Sequence, residues 1–505
     1  MNMMKKTAYL GMVISAVALS GCLGGGGGSS SSIACPTAGN TPAGATAQQE
    51  RIDNCFFEVD EDQLAFGPLV ADVPAYENTS RWHGVIDNAG YRVEVPENWN
   101  GMLVMYAHGF RGEGSELTVD SPPMRQYLLD NGYAWAASSY STTYYDVLAG
   151  VEDTNKLALA FNDIAAENGR PLAAPTKRYI TGVSMGGHVT AAAIELETQQ
   201  TANTFVPYDG AAPMCGVLGD TELFNYFGAY SLSLFQFGGV PANTYPINDV
   251  EAKLTAARTA LWTDYATNKN VDGLTQEGLP LFTTLQNLSG GPRPVYGVAF
   301  GGFQDLLQGF AGADGTVTGI LNENVVDTRD VTYRFQTTPG QPLTPTEQGF
   351  NDTIYQITPD ANANALRDDG LRFIPKVNGN LYKAIPVVTV HTLGDLFVPI
   401  SMEQIYKQRM IDNGFGDQVV QRAVRAPGHC DFSFAEFEQT LDAMLDWEQD
   451  GIKPAGDDFL TPATVADPQF GCQFTVDGAP QTATRAAIAP LIGACAPAVP
   501  AAAAL

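Results

Sequence analysis

Short apolar runs alternate with amphipathic stretches in two parts of the chain, and this alternation predicts the fold. Runs typical of strands occur at residues 81–96, 102–107, 133–138, 179–181, 384–391 and 419–426, with a weaker candidate at 205–213. Helical patterns occur at residues 122–129, 146–166, 249–264, 402–413 and 434–448, and in the alanine-rich stretch that ends at Ala193. Strands alternating with helices predict an α/β fold with a mostly parallel central sheet and helices on both faces.

The alternation is interrupted between residues 216 and 380. This stretch of about 165 residues is rich in aromatic residues, Gly and Pro. It is too long for a loop, so we predict a cap or lid insertion that folds for itself. The predicted core consists of residues 81–215 and 381–451, with an N-terminal extension over 34–80 and a C-terminal extension over 452–505.

The first 33 residues have the composition of an export signal and a tether. Lys5 and Lys6 precede an apolar run, which is typical of a signal peptide, here residues 1–21. The sequence Leu-Ser-Gly-Cys ending at Cys22 resembles the bacterial lipobox, which implies cleavage before Cys22 and a lipid on its sulfur. Residues 22–33 are mostly Gly and Ser, and we expect a flexible tether. The resemblance implies a cell-envelope lipoprotein, with the outer membrane favoured because no Asp follows Cys22.

The charge balance restricts the partners. The chain has 27 Lys and Arg against 55 Asp and Glu, a formal net charge of −28. Nucleic acids and anionic lipid headgroups are therefore poor partners. We expect a monomer that is held at a membrane by its lipid and that meets a small-molecule or polymeric substrate.

Six cysteines remain after Cys22, and an even number in an exported chain suggests disulfides. Proximity in the sequence favours two pairs at the ends of the chain and leaves a third, long-range pair. The expected pairs are Cys35 with Cys55, Cys472 with Cys495, and Cys215 with Cys430. None of these cysteines has the spacing of a zinc site.

The sequence Gly182-Val183-Ser184-Met185-Gly186 lies between a predicted strand and a predicted helix. In that context a G-x-S-x-G sequence is typical of a nucleophile elbow, in which a strained turn exposes the serine hydroxyl. Glycines are needed because neighbouring residues with a Cβ would collide with the strand and the helix. We therefore predict that Ser184 is a nucleophile.

A serine nucleophile needs a base and a group that orients the base. His429 follows the last predicted strand in a loop shaped by Pro427 and Gly428, and it is the predicted base. Asp395 follows the strand at 384–391 and is the predicted acid, with Asp209 as the alternative. The remaining histidines, His83, His108, His188 and His391, are expected to be structural.

The chain order Ser184, Asp395, His429 resembles that of α/β-hydrolases over residues 82–451. The resemblance implies that the backbone N–H groups of Phe110, in a His-Gly-Phe sequence after a central strand, and of Met185 form an oxyanion hole. Cys430 directly after the histidine is similar to the tannase and feruloyl-esterase group, in which that cysteine bonds to one just before the nucleophile. Val183 occupies that position here, and Cys215 is the expected substitute.

These features predict a serine hydrolase that cleaves carboxylic esters through an acyl-enzyme. The aromatic residues of the cap suggest an apolar or aromatic acyl group. An amidase or peptidase on the same scaffold is one alternative, and a non-catalytic binding lipoprotein is another. We predict no metal and no cofactor: the calcium-loop-like segment at Asn268 has Leu279 where a bidentate Glu belongs, and there is no nucleotide-binding glycine motif.

Overall fold

A single eight-stranded sheet organises the described part of the chain. The computed structural model describes residue 41 and residues 45–476, 482–493 and 495. The predicted signal peptide and tether, with Cys22 and Cys35, lie outside the described residues. The strands within them are β1 Glu58–Val59, β2 Ser80–Ile86, β3 Ala89–Val95, β4 Met102–Ala107, β5 Glu116–Leu117, β6 Ala134–Ser138, β7 Lys177–Val183, β8 Gly210–Met214, β9 Val387–Thr392 and β10 Val419–Val424.

The sheet has the order β10-β9-β8-β7-β4-β6-β3-β2, and β1 and β5 form a separate two-stranded pair. From β10 to β6 all neighbouring strands are parallel, whereas β3 is antiparallel to both β6 and β2. The weaker strand candidate at 205–213 corresponds to β8. The sheet therefore confirms the predicted α/β fold with a mostly parallel central sheet.

Helices cover both faces of the sheet and also fill the long insertion. Their bounds are α1 Ala47–Asp53, α2 Pro74–Glu77, α3 Arg125–Asp130, α4 Val147–Glu167, α5 Met185–Ala193, α6 Leu196–Thr201, α7 Glu222–Phe237, α8 Val250–Leu261, α9 Leu279–Leu288, α10 Tyr296–Ala299, α11 Gln304–Gly309, α12 Pro345–Thr353, α13 Ser401–Asp412, α14 Phe434–Asp450, α15 Pro462–Val465 and α16 Ala483–Ile488. None of these helices combines the length and the apolar character that a membrane crossing needs.

Alternate side chains of the central strands supply two hydrophobic cores, one on each face. In β4, Leu103 and Met105 pack in the core that contains Phe161 of α4. Val104 of the same strand packs in the other core, with Leu441 of α14. Successive side chains of a strand point to opposite faces, so a strand buried on both faces is apolar throughout. This is the reason for the continuous apolar run at 102–107.

The insertion between β8 and β9 adds its buried residues to one of these cores. Tyr230 of α7, Leu285 of α9 and Phe300 belong to the same hydrophobic cluster as Phe161 of α4. Helix α7 was not predicted. Its buried residues extend round most of its circumference, so its sequence has no single apolar stripe that would reveal a helical period.

Candidate functional site

Ser184 lies in a sharp turn between β7 and α5. Its backbone has φ 57° and ψ −122°, a strained conformation for a residue with a side chain. A Cβ on Gly186 would lie 2.1 Å from the carbonyl oxygen of Ala107, and one on Gly182 would lie 2.3 Å from the carbonyl oxygen of Gly186. Only glycine fits at either position. The turn leaves the Ser184 side chain half-buried, within reach of a ligand.

The hydroxyl of Ser184 is hydrogen-bonded to His429. Its Oγ lies 2.7 Å from the Nε2 atom of the imidazole. The Nδ1 atom of the same ring lies 2.6 Å from Oδ2 of Asp395. A carboxylate accepts a proton donor at Nδ1, which leaves Nε2 of the neutral ring free to accept the proton of the hydroxyl.

Asp395 is completely buried, and the backbone fixes its position. Its other oxygen, Oδ1, accepts the N–H groups of Phe397 at 2.9 Å and of Val398 at 3.0 Å. With both oxygens engaged, the carboxylate cannot rotate away from His429. Ser184, Asp395 and His429 follow β7, β9 and β10, so the carboxyl edge of one parallel sheet brings them together.

The alternative acid, Asp209, lies at the opposite edge of the sheet. It immediately precedes β8, and its carboxylate accepts the backbone N–H of Arg178 and faces Lys177 and Lys383. Residues that precede a parallel strand cannot reach side chains that follow its neighbour. Asp209 therefore takes no part in this arrangement.

The two expected oxyanion donors border the nucleophile. A Cβ on Gly109 would lie 3.3 Å from Cβ of Ser184, so the backbone leading to Phe110 passes close to the serine. Met185 is the first residue of α5, and an N–H in the first turn of a helix has no intrahelical acceptor. Within the described residues neither the Phe110 nor the Met185 N–H donates a hydrogen bond. Their assignment as the oxyanion donors stays a prediction.

A disulfide lies against the imidazole. Cys215, which directly follows β8, is joined to Cys430, the neighbour of His429. The sulfur of Cys430 lies 3.4 Å from Nε2 of His429. Cys472 and Cys495 form a second disulfide, so both of these expected pairs are present. The expected Cys35–Cys55 pair involves a residue outside the described ranges.

Two buried basic side chains that were not predicted to support the site, His391 and Arg293, lie near Asp395 or the backbone that leads to it. The Nε2 atom of His391 lies 3.7 Å from Oδ2 of Asp395, and its Nδ1 atom lies 3.3 Å from Glu403. Burial favours the neutral ring, but the hydrogen bond and charge of Glu403 raise the pKa of His391. Arg293, from the insertion, donates at 2.6 Å to the carbonyl oxygen of Leu393. Burial lowers the pKa of Arg293 to about 10, and the guanidinium remains charged.

Neither position carries a sequence signal for this role. His391 lies inside an apolar strand, where a structural histidine is the usual interpretation. Arg293 is separated from Asp395 by about a hundred positions and lies in no recognisable motif. Only the folded chain brings these two basic side chains close to Asp395 and to the backbone before it.

Aromatic side chains flank the other side of the imidazole. The ring of Phe397 meets that of His429 edge to face, with centroids 5.1 Å apart. Phe227 and Phe310, both from the insertion, stack on Phe397 with centroid distances of 6.0 and 5.9 Å. Phe310 and Phe397 are only partly buried, so they present apolar surface next to the triad.

The remaining histidines are remote from the hydroxyl or engaged elsewhere. His108 stacks on Tyr140, and its two ring nitrogens contact the carbonyl oxygens of Gly109 and Ser139. Burial lowers the pKa of His108 and of His188 to about 4, so both rings are neutral. His188 contacts the hydroxyl of Tyr145 within the core. His83 is an exposed residue of β2.

Comparison with known proteins gives distant relatives. No protein-family profile matches the chain. In sequence it is similar to an o-phthalyl amidase from Xanthobacter agilis, with 21% identity over 426 residues, which cover 76% of this chain and 87% of that protein.

The similar solved structures include three esterases. An esterase from Aspergillus oryzae has 12% identity and a TM-score of 0.42, with 78% of this chain and 84% of that chain covered. Feruloyl esterase B from the same organism has 14% identity and a TM-score of 0.39, with 75% and 82% covered. The rice cell wall degrading esterase LipA from Xanthomonas oryzae has 14% identity and a TM-score of 0.32, with 72% and 84% covered.

Proposed function

We propose that this protein is a serine hydrolase that cleaves carboxylic esters through an acyl-enzyme intermediate. One observation carries the proposal: the imidazole of His429 is hydrogen-bonded to Ser184 through one nitrogen and to Asp395 through the other. Residues that only stabilised the fold would not need a half-buried hydroxyl, a base and a buried carboxylate hydrogen-bonded in series.

In the first half of the reaction, Oγ of Ser184 attacks the ester carbonyl carbon while Nε2 of His429 takes the hydroxyl proton. The carbonyl oxygen becomes an oxyanion, which the N–H groups of Phe110 and Met185 stabilise. Asp395 stabilises the imidazolium as it forms. The intermediate collapses when the bond to the leaving oxygen breaks, and His429 returns the proton to that oxygen.

In the second half, a water molecule replaces the alcohol. His429 takes a proton from the water, whose oxygen attacks the acyl carbon. The bond between that carbon and Oγ then breaks, Ser184 regains its proton, and the carboxylic acid leaves.

Apolar or aromatic substituents fit the surface next to the triad. Phe227, Phe310 and Phe397 form a stacked group that touches His429. Aromatic pairs add roughly 0.5–1.5 kcal/mol beyond the burial of area. An ester with an aromatic or long alkyl group is therefore a better substrate than a short aliphatic one.

A fluorophosphonate probe tests the proposal directly. We expect labelling at Ser184, found by peptide mass spectrometry, and none in the Ser184→Ala variant. A folded wild-type protein that resists labelling and does not hydrolyse 4-nitrophenyl butyrate would contradict the proposal and favour a binding lipoprotein.

Amide hydrolysis is a second candidate because the sequence relative is an amidase. The acyl chemistry is the same for both classes, and only the leaving group differs. Ester and amide hydrolysis can be compared with the 4-nitrophenyl ester and the 4-nitroanilide of butyric acid, which share the same acyl group. A ratio of kcat/KM that favours the anilide would assign the protein to the amidases.

For its location, we propose export and a lipid on Cys22, from the lipobox-like sequence and the disulfides. Mass spectrometry of the N-terminal peptide of the membrane fraction tests this. Loss of the lipid and release of the protein are expected for Cys22→Ala.

A further inference from the structure

A small recess lies beside the nucleophile, on the side of the loop that follows β4. It is lined by Gly109 and Met185, which border Ser184, and by the guanidinium-bearing side chain of Arg111. Tyr140 and the hydroxyl-bearing residues Thr118, Thr142 and Thr143 complete much of its wall. The guanidinium of Arg111 therefore faces the same recess as the turn that carries Ser184.

Arg111 has donors to spare. Within the described residues it forms one ion pair, with Asp120, and 30% of its side-chain surface is accessible. A guanidinium has five N–H donors, and one carboxylate uses at most two of them. Burial lowers the pKa of Arg111, whereas the nearby Tyr106 and Tyr140 act to raise it, and the side chain stays charged at neutral pH.

We propose that Arg111 binds a carboxylate on the acyl group of the substrate, so that the preferred substrates are monoesters of dicarboxylic acids. The inference rests on the proposed function and names its substrate class. Arg111 is a specificity-determining residue: it contacts the part of the substrate that remains on Ser184 after the alcohol has left.

The positions of the groups assign the carboxylate to the acyl part. His429 protonates the leaving oxygen, so the alcohol lies on the side of His429 and of the stacked Phe227, Phe310 and Phe397. The recess of Arg111 lies on the side of the loop that carries the oxyanion donor Phe110. With the alcohol on the side of His429, the side of this loop is left for the acyl group.

Arg111 is the one positively charged side chain among the described residues that line the recess, so any attraction of an anion comes from it. The carboxylate of Glu116 also lines the recess and opposes an anion there; Arg111 and Glu116 both reach solvent, so the charge of each is partly screened. In a chain with a net charge of −28, an anionic substrate has no general attraction to the protein. Selection of an anionic substrate then requires a cation close to the nucleophile, and Arg111 is such a cation.

A matched pair of esters tests the proposal. Monobutyl phthalate carries a carboxylate next to the scissile ester, and butyl 2-methylbenzoate has a methyl group of similar bulk in its place. We expect wild type to prefer the phthalate monoester by about tenfold or more in kcat/KM, as a charge-assisted hydrogen-bonded pair allows. Product acids are quantified by liquid chromatography.

Variants identify the residue. Arg111→Met is expected to lower kcat/KM for monobutyl phthalate by about 10- to 100-fold and to leave butyl 2-methylbenzoate nearly unchanged. Arg111→Lys keeps the charge but not the fork of donors, so an intermediate loss is expected.

Arg329→Met is the matched control, because Arg329 also pairs with an aspartate, Asp327, but lies on the surface of the insertion. Glu116→Gln is expected to raise the rate of the phthalate monoester only.

The outcomes separate this inference from the proposed function. Equal rates of the two esters with wild type, or an equal loss on both with Arg111→Met, would overturn the role of Arg111 while leaving the hydrolase intact. So would a fall in the phthalate rate with Glu116→Gln. Should Arg111→Met not fold, calorimetric titration of Ser184→Ala with the two intact esters decides: monobutyl phthalate must bind more tightly than butyl 2-methylbenzoate. Absence of both ester hydrolysis and fluorophosphonate labelling would overturn the proposed function, and this inference with it.

Discussion

Cys430 is bonded to Cys215, and the residue before Cys215 accepts the backbone N–H of Ser184. That acceptor is the carbonyl oxygen of Met214, 3.0 Å from the nitrogen of Ser184. The loop that carries His429 is therefore linked to the end of β8 by a disulfide, and the turn that carries Ser184 is linked to it by a hydrogen bond. The disulfide joins positions 215 residues apart in the sequence and fixes the imidazole relative to the hydroxyl.

Removing this disulfide is expected to impair catalysis more than it impairs the fold. In the Cys215→Ala/Cys430→Ala variant the loop gains freedom, and a misplacement of about 1 Å costs on the order of 100-fold in rate. We expect kcat on 4-nitrophenyl butyrate to fall by about 10- to 100-fold. The matched control is Cys472→Ala/Cys495→Ala, which removes the other described disulfide. A similar fall in kcat in both double variants would contradict a positioning role.

Asp395→Asn is expected to lower kcat by about 10⁴-fold with little change in stability, because an amide donor facing Nδ1 selects the wrong tautomer of His429. Asp209→Asn provides the control. Asp209 was the alternative acid, and its carboxylate lies at the opposite edge of the sheet beside Lys177. Comparable losses in the two variants would remove Asp395 from the triad.

Gly186→Ala is expected to prevent folding or to reduce stability severely. The added Cβ would lie 2.1 Å from the backbone oxygen of Ala107 in the neighbouring strand, and neither backbone can move without breaking the sheet. Gly309→Ala, in α11, meets nothing within 4 Å and is expected to be neutral or stabilising. Soluble yield and the thermal midpoint of unfolding compare the two. A well-folded Gly186→Ala protein would show that the turn has more room than its geometry indicates.

Glu347 predicts an acid-sensitive contribution from the insertion. Burial alone would raise the pKa of Glu347. Hydrogen bonds from four backbone N–H groups lower this pKa to about 2; the donors are those of Thr344, Gln336, Phe335 and Thr337. A depressed carboxyl pKa stabilises the folded state above the ordinary value of 4.5, and this contribution is lost as the pH falls from there to about 2.

Glu347→Gln tests this contribution. At pH 7 the variant is expected to lose roughly 1–3 kcal/mol in the free energy of unfolding, because an amide cannot satisfy the same donors with both of its ends. The loss should shrink at about pH 3. Urea unfolding at both pH values measures it, with the exposed Glu323→Gln as control. A loss of the same size at both values would mean that the charge of Glu347 is not what matters.

The sheet and the triad were predictable because their signals are local or depend on chain order. A buried parallel strand is apolar throughout, as in residues 102–107, and the elbow of Ser184 needs glycine at two fixed positions. Chain order along alternating strands and helices then indicated which strand ends would meet, and hence Asp395 and His429.

Side chains from the insertion could not be predicted in the same way. Helix α7 has apolar residues on most of its circumference, so periodicity does not mark it. Arg293 and the stacked Phe227 and Phe310 reach the site only through tertiary packing. Arg111 follows the predicted oxyanion residue by one position, but its relation to the recess depends on the path of the loop.

The long separation between nucleophile and base has a consequence for biosynthesis. His429 is the 245th residue after Ser184, and the strand that precedes it, β10, is the last strand of the sheet in chain order. No nascent or prematurely terminated product that lacks this final strand can hydrolyse an ester, although it already contains the nucleophile. Until that strand has been added, the hydroxyl of Ser184 lacks the imidazole to which it is hydrogen-bonded in the folded chain.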